Sequence, residues 1–403
     1  MAYKALKANN LSFELITSED IRKGCLKDYK MLFVPGGWAS NKLKTLGNEG
    51  INEIRNFVNR GGNYLGFCGG AGLATLDGIG LLNIKRMPTG QRVPSFSGRI
   101  YLNINEHPVW NSLEPSAFSL QPIFHAWWPS QFLIKDKDIK ILATYGDALP
   151  DSFSSDLNVG DVQANRGWSE LEDAYKINLN PDRLKNEPAI VEGNFGKGKV
   201  ILSLIHFDTP DDENGAAVLK NLWKYLGGTE MQESRKTEIK TSDPLSFQTS
   251  ELVAYIENTV DDLISLGIRN FLWFWRNPML LQWRRGVRGL EYCTLHIIVK
   301  EIAEMLKKQH TEYSIQDIDL DKIKELLIPF VEKAKQLLIM ERIAMQNGYI
   351  TYEKCNNPQI QNMRIELFGN SKSHGGLFKK LIDELDNNLY ILLKKTGGHN
   401  DAN

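Results

Sequence analysis

Asn63-Tyr64-Leu65-Gly66-Phe67-Cys68-Gly69-Gly70-Ala71-Gly72 is an apolar run that reads as a buried strand and passes at once into a helical pattern. The spacing Gly66-x-Cys68-x-Gly70 is that of a nucleophile elbow. So tight a strand-to-helix turn strains the backbone at the nucleophile and leaves no room for side chains two residues to either side. A helix starting just after Cys68 aims its amides at the sulfur and favours thiolate, the reactive form. The competing reading is a buried structural cysteine beside a glycine turn.

Working outward, the run Met31-Leu32-Phe33-Val34 ends in Pro35-Gly36-Gly37. Amides freed at such a turn can face a nucleophile, which makes Gly36, Gly37 and Gly69 the candidate oxyanion donors; alone, the tripeptide is only a tight turn. A later run, Val200-Ile201-Leu202-Ser203-Leu204-Ile205, presents His206 at its end and Asp208 two residues on. A cysteine nucleophile needs a neighbouring base, and the base needs a carboxylate to set its tautomer. Cys68, His206 and Asp208 are therefore the candidate catalytic set. His125, in Phe124-His125-Ala126-Trp127-Trp128, is the competing base, and a satisfied core histidine also suits position 206. Strands are expected over residues 13–17, 31–34, 63–67, 139–144, 189–194 and 199–204, with a hairpin turned at 196–198. Helices are expected over 50–60, 70–75 and 215–226. This alternation predicts an α/β domain, a parallel sheet covered by helices.

The order Pro-Gly-Gly, Gly-x-Cys-x-Gly, His-x-acid resembles the class I glutamine amidotransferase-like superfamily. Within it, the chain is most similar to the biotin–protein ligase N-terminal domain family, whose members carry a comparable Cys-x-Gly-Ala elbow. The resemblance covers roughly residues 1–228 and implies a flavodoxin-like sheet, with Cys68 as nucleophile, His206 as base, Asp208 as orienting acid, and Gly37 and Gly69 as oxyanion donors. Three departures carry expectations. Gly72 stands where true glutamine amidotransferases usually carry a Gln of the glutamine pocket, so glutamine is expected to be a poor substrate. Asp208 replaces the usual Glu and is one methylene shorter; its reach to His206 then depends on a local shift, or the role passes to Asp211, Asp212 or Glu213. The opening strand of such a domain is missing, since residues 3–8 already read as helix; either the natural protein starts upstream of Met1 or another segment fills the gap. No biotin-ligase catalytic half follows, because Arg284-Arg285-Gly286-Val287-Arg288-Gly289 lacks the spacing of the Gly-Arg-Gly-Arg-type adenylate loop.

With 403 residues, 42% hydrophobic and 24% charged, the chain is an ordinary globular one, and disorder, collagen and coiled-coil classes drop away. A net charge of -1 argues against wholesale nucleic-acid binding. Four widely spaced cysteines fit neither a disulfide framework nor a zinc knuckle, which points to a reducing, cytoplasmic compartment. No secretory signal and no transmembrane segment are expected, since the greasiest stretch, 266–283, is interrupted by Arg269, Arg276 and Pro278. A polar linker over 229–243 leads to a mainly helical domain, 244–403. Helical spacing runs through 252–266, 290–306, 323–346 and 377–393, with one short strand at 349–352. The aromatic and arginine-rich stretch 273–285 is expected to be a helix pair with core tryptophans. No phosphate-loop, HExxH or EF-hand pattern is present, so no cofactor and no metal is implied.

Two functions fit these residues. One is a cysteine hydrolase or amidotransferase-like enzyme acting on a small-molecule or peptide amide, or a related acyl substrate, through a Cys68 thioester. The other is a catalytically inactive amidotransferase-like binding module, its helical domain serving a protein partner or self-association.

Overall fold

The computed structural model describes residues 1–111, 113, 121–165, 167–228, 246–308, 318–348, 355, 357–370 and 375–396. The chain divides into two compact units, 1–234 and 235–403. The linker expected over 229–243 and the strand expected at 349–352 lie outside the described residues.

The first unit opens with two short helices, α1 (Ala2–Ala8) and α2 (Ser18–Arg22). Then come β1 (Met31–Val34), α3 (Ala39–Asn59), β2 (Asn63–Phe67) and α4 (Gly69–Leu73). β3 (Ile84–Arg86) and β6 (Phe132–Ile134) form a separate two-stranded ladder. The main sheet continues with β4 (Phe96–Ile104), β5 (Ile123–Trp127), β7 (Lys140–Ala148), β8 (Phe153–Ser154) and β9 (Leu157–Asn158). Helices α5 (Val159–Asn165) and α6 (Ser169–Tyr175) lead to β10 (Pro188–Phe195), β11 (Gly198–Ser203) and α7 (Glu213–Gly227).

Strands run in the order β1-β2-β11-β10-β7-β4-β8-β9, with β5 paired to β4. β2 pairs in parallel with β1 on one side and with β11 on the other, and β1 stands at the edge of the sheet. These runs are buried: Tyr64, Leu65, Phe67, Val200, Ile201 and Leu202 are all shielded from solvent, each worth roughly 1.5–3 kcal/mol in the case of a fully buried large apolar side chain. Beyond β11 the sheet turns antiparallel, because β10 and β11 are joined by the tight hairpin that opposes Phe195 to Gly198. The sheet is thus α/β with a parallel part narrowed to β1, β2 and β11. The site lies at the carboxyl ends of β2 and β11.

Residues 13–17 are not a strand. Ser12 offers its carbonyl to Trp223 Nε1 at 3.0 Å, and Phe13 meets the Tyr3 ring edge-on. Thr17 is the N-cap of α2, its side chain exchanging hydrogen bonds with Asp20. The helix expected over 50–60 begins earlier, at Ala39, and bends at Gly47, where φ is 60°.

The second unit holds α8 (Phe247–Arg269), β12 (Trp273–Asn277), β13 (Leu280–Trp283), α9 (Gly289–Lys308), α10 (Leu320–Ala344), α11 (Pro358–Phe368) and α12 (Gly376–Thr396). Stretch 273–285 is therefore a β-hairpin and not a helix pair. Its Trp273 is core as expected, with Nε1 donating to Ile264 O at 2.9 Å. Tyr292, Phe330, Phe368 and Phe378 pack ring against ring at the centre of this unit. Among the described residues no helix is long and apolar enough to cross a membrane.

Candidate active site

Cys68 stands between β2 and α4 with φ 47° and ψ -103°, a backbone region that costs a non-glycine residue on the order of 1–3 kcal/mol. The strain is held by local bonds. The Cys68 amide donates to Ser203 O at 2.8 Å, its carbonyl accepts from Gly72 N at 2.9 Å, and Tyr64 Oη donates to Gly70 O at 2.7 Å.

The glycines around it are demanded by close approach. A Cβ on Gly69 would lie 1.7 Å from Gly37 O, and one on Gly70 would lie 1.8 Å from Val34 O. The Pro35-Gly36-Gly37 turn therefore rides directly on the start of α4, with Gly37 at φ 103°. A Cβ on Gly36 would meet His206 Cε1 at 3.0 Å and Cys68 Cβ at 3.7 Å, so this backbone floors the gap between sulfur and imidazole.

His206 is buried, as is Asp208, and His206 Nδ1 bonds Asp208 Oδ1 at 2.9 Å. The shorter aspartate reaches because the chain after β11 is folded back on itself. Ser203 Oγ donates to Ile205 O at 2.8 Å and accepts from Ile205 N, while Thr209 Oγ1 donates to His206 O at 2.9 Å. Trp127 Nε1 in turn donates to Thr209 Oγ1. With Nδ1 engaged by Asp208, the remaining nitrogen, Nε2, is left for Cys68, whose Cβ shares with the imidazole the space over Gly36.

The electrostatics follow from this chain. Burial pushes the Cys68 thiol up, but the hydrogen bond and charge of His206 and the Gly69 amide outweigh it, so its pKa is lowered. Burial works against a charged His206, but the Asp208 carboxylate and the Cys68 sulfur push its pKa up to about 10. Burial also opposes ionised Asp208, and the His206 charge beside it wins, lowering its pKa. The arrangement can hold a thiolate–imidazolium pair with a carboxylate behind it.

His125 is tied elsewhere. Its Nδ1 bonds Asp212 Oδ2 at 2.7 Å and its ring stacks on Trp127 with centroids 5.3 Å apart. Asp212 also caps α7, accepting from Gly215 N at 2.8 Å. The alternative acid Asp212 thus serves His125, while His206 has Asp208.

Three further residues bear on the elbow that the sequence did not single out. A Cβ on Gly72 would lie 3.2 Å from Arg86 Nη1, so a guanidinium covers the helix four residues past the cysteine. Burial and the Arg86 charge push Arg92 below its ordinary range, whereas the Cys68 sulfur supports it. Tyr145, fully buried, has its hydroxyl pushed well above its usual range by burial first and then by Cys68. The one available signal was the basic loop from Lys85 to Arg92, which spacing alone could not bring to the elbow. Among the described residues no group of three or more His, Cys, Asp or Glu side chains comes together as a metal site would require.

Residues 7–77, which carry Pro35-Gly36-Gly37 and Cys68, match the family model described as biotin-protein ligase, N terminal. No curated protein sequence matches the chain. Among solved structures, a β-galactosidase from Bacillus circulans sp. alkalophilus is similar over 57% of this chain and 26% of its own, at 14% identity and a TM-score of 0.35. A glutamine amidotransferase is similar over 56% of this chain and 92% of its own, at 19% identity and a TM-score of 0.33. PurLQS from Thermotoga maritima is similar over 56% and 91%, at 17% identity and a TM-score of 0.36. The chain thus spans about a quarter of the length of the β-galactosidase. Its chemistry rests on the geometry of its own site.

Proposed function

We propose that this protein is a cysteine-nucleophile hydrolase or amidotransferase-like enzyme acting on an amide or related acyl substrate through a Cys68 thioester. The observation that carries the reading is the meeting, beside Gly36, of Cys68 at a strained strand-to-helix turn and the His206 imidazole, whose Nδ1 bonds Asp208 Oδ1. The Cys68 thiolate attacks the carbonyl carbon, and the carbonyl oxygen becomes an oxyanion that accepts from the amides of Gly37 and Gly69, with Gly36 shaping the floor. Protonated His206 gives its Nε2 proton to the departing amine as the C–N bond breaks. A water, or an acceptor nucleophile, then loses a proton to His206, attacks the thioester and releases Cys68. Asp208 accepts from Nδ1–H throughout and holds the ring in register.

Gly72 and the Arg86 guanidinium packed on it leave nothing resembling the Gln of a glutamine pocket. Glutamine is a poor substrate on this reading. The test is acyl-enzyme trapping: incubation with p-nitrophenyl acetate should give a hydroxylamine-sensitive acetyl adduct on Cys68, absent in Cys68→Ala and formed at least about a hundredfold more slowly in His206→Ala. A folded protein that never acylates at Cys68 would contradict it and leave the binding module. Glutamate release from glutamine at roughly 1 per second or more would contradict the exclusion of glutamine.

A further inference from the structure

Arg86 and Arg92 are gripped by one short segment of chain. Arg86 closes β3 opposite Phe132 of β6, and the next amide, Met87 N, donates to Gln131 O at 2.8 Å. Arg92 Nη1 donates to Ser130 Oγ at 2.7 Å and Nη2 to Thr89 Oγ1 at 3.4 Å, while Val93 N donates to Gln131 Oε1 at 3.1 Å. Residues 130–132 thus anchor both arginines, and the Arg86 guanidinium reaches α4 against Gly72.

Neither arginine is neutralised. Among the described residues no carboxylate lies within ion-pair distance of either guanidinium, and the nearby Asp77 accepts, at 3.4 Å, from the Arg86 backbone amide instead. The Nε atoms of both are buried without a hydrogen-bond partner, and so is the Tyr145 hydroxyl. Two half-buried like charges without a carboxylate partner are unfavourable, and an anion taken up beside them would relieve both. A planar guanidinium matches a carboxylate in the bidentate geometry that makes such pairs strong.

We infer that Arg86 and Arg92 form a carboxylate-recognition pocket beside Cys68, so that the acyl substrate of this site is an acid carrying its carboxylate a short distance from the reacting carbonyl. This inference rests on the thioester reading above. It turns the position that denies glutamine its usual contact into the feature that selects a different substrate.

Two small alkylating agents differing in one charge test it. In each, the Cys68 thiolate displaces iodide as the C–S bond forms and the C–I bond breaks; iodoacetate brings a carboxylate and iodoacetamide does not. The readout is the ratio of the two rates at Cys68, which cancels any change in thiolate population. Protonated His206 also attracts iodoacetate, so the comparison is between wild type and the variants Arg86→Gln and Arg92→Gln. Each substitution is expected to lower the ratio about tenfold, the size of one lost charge-assisted contact. A ratio unchanged in both overturns the inference. Fast iodoacetamide reaction with an arginine-independent ratio defeats this inference alone, whereas a Cys68 slow toward both reagents defeats the thioester reading. Should Arg86→Gln unfold the turn, Arg92→Gln and protection of wild-type Cys68 from iodoacetamide by millimolar succinate decide the matter, and absence of protection overturns the pocket.

Discussion

Cys68 differs from the other cysteines by its surroundings and not by its exposure alone. Cys293 is buried in the second unit, and burial pushes its thiol up to about 11. Burial, with Asp20 and Glu14 nearby, also raises Cys25. Only thiolate reacts, so brief iodoacetamide treatment near neutral pH should modify Cys68 first, with peptide mapping as the check. Preferential labelling of Cys25, Cys293 or Cys355 would contradict this. The two histidines separate in the same way. His206, and not His125, is the imidazole found beside Gly36 and Cys68, so His125→Ala should leave the pH midpoint of Cys68 alkylation in place. The residue types and order of Cys68, His206 and Asp208 were legible in the sequence. The reach of Asp208 was not, because it depends on the Ser203 and Thr209 hydroxyl bonds that fold the chain after β11.

At the scale of elements, the crossing of the Pro35-Gly36-Gly37 turn over α4 is the tightest joint in the site. With Val34 O only 1.8 Å from the position of a Cβ on Gly70, Gly70→Ala should destabilise the protein by about 3 kcal/mol or more, since backbone must move on both sides. Gly90 has nothing within 4 Å of its Cβ position, and Gly90→Ala should stay within about 0.5 kcal/mol. Urea unfolding of the two variants checks the contrast, and equal midpoints would contradict it. β2 could be read from sequence because a strand buried on both faces appears as an apolar run, and β1, though a partly exposed edge strand, is apolar throughout. β4 could not: Gly98, at φ 141°, leaves no space for a Cβ beside Ser152, and buried Ser97 interrupts the apolar pattern. Residues 13–17 failed in the opposite sense: they are strand-like in type, but the stretch is held between Ser12, whose carbonyl goes to Trp223, and Thr17, which caps α2. The hairpin of β12 and β13 was hidden because tryptophans and arginines suit a helix and a strand alike.

For the molecule as a whole, every group of the site belongs to the first unit, which has a hydrophobic core of its own. Residues 1–228 produced alone should therefore unfold cooperatively and alkylate at Cys68 within about twofold of the full chain's rate, a difference near 0.4 kcal/mol. A fragment that is unfolded, or whose Cys68 has lost its reactivity, would show that residues beyond 228 complete the site. The central claim is that His206 and Cys68 share a proton as a thiolate–imidazolium pair backed by Asp208. The same interaction that raises His206 lowers Cys68, so removing the imidazole must move the thiol upward. The direct measurement is the pH dependence of Cys68 alkylation by iodoacetamide in wild type, His206→Ala and Asp208→Asn. The account predicts a wild-type midpoint below the free thiol's value of about 8.5, a shift to that value or above in His206→Ala, and a smaller upward shift in Asp208→Asn. Superimposable titrations in all three would contradict it.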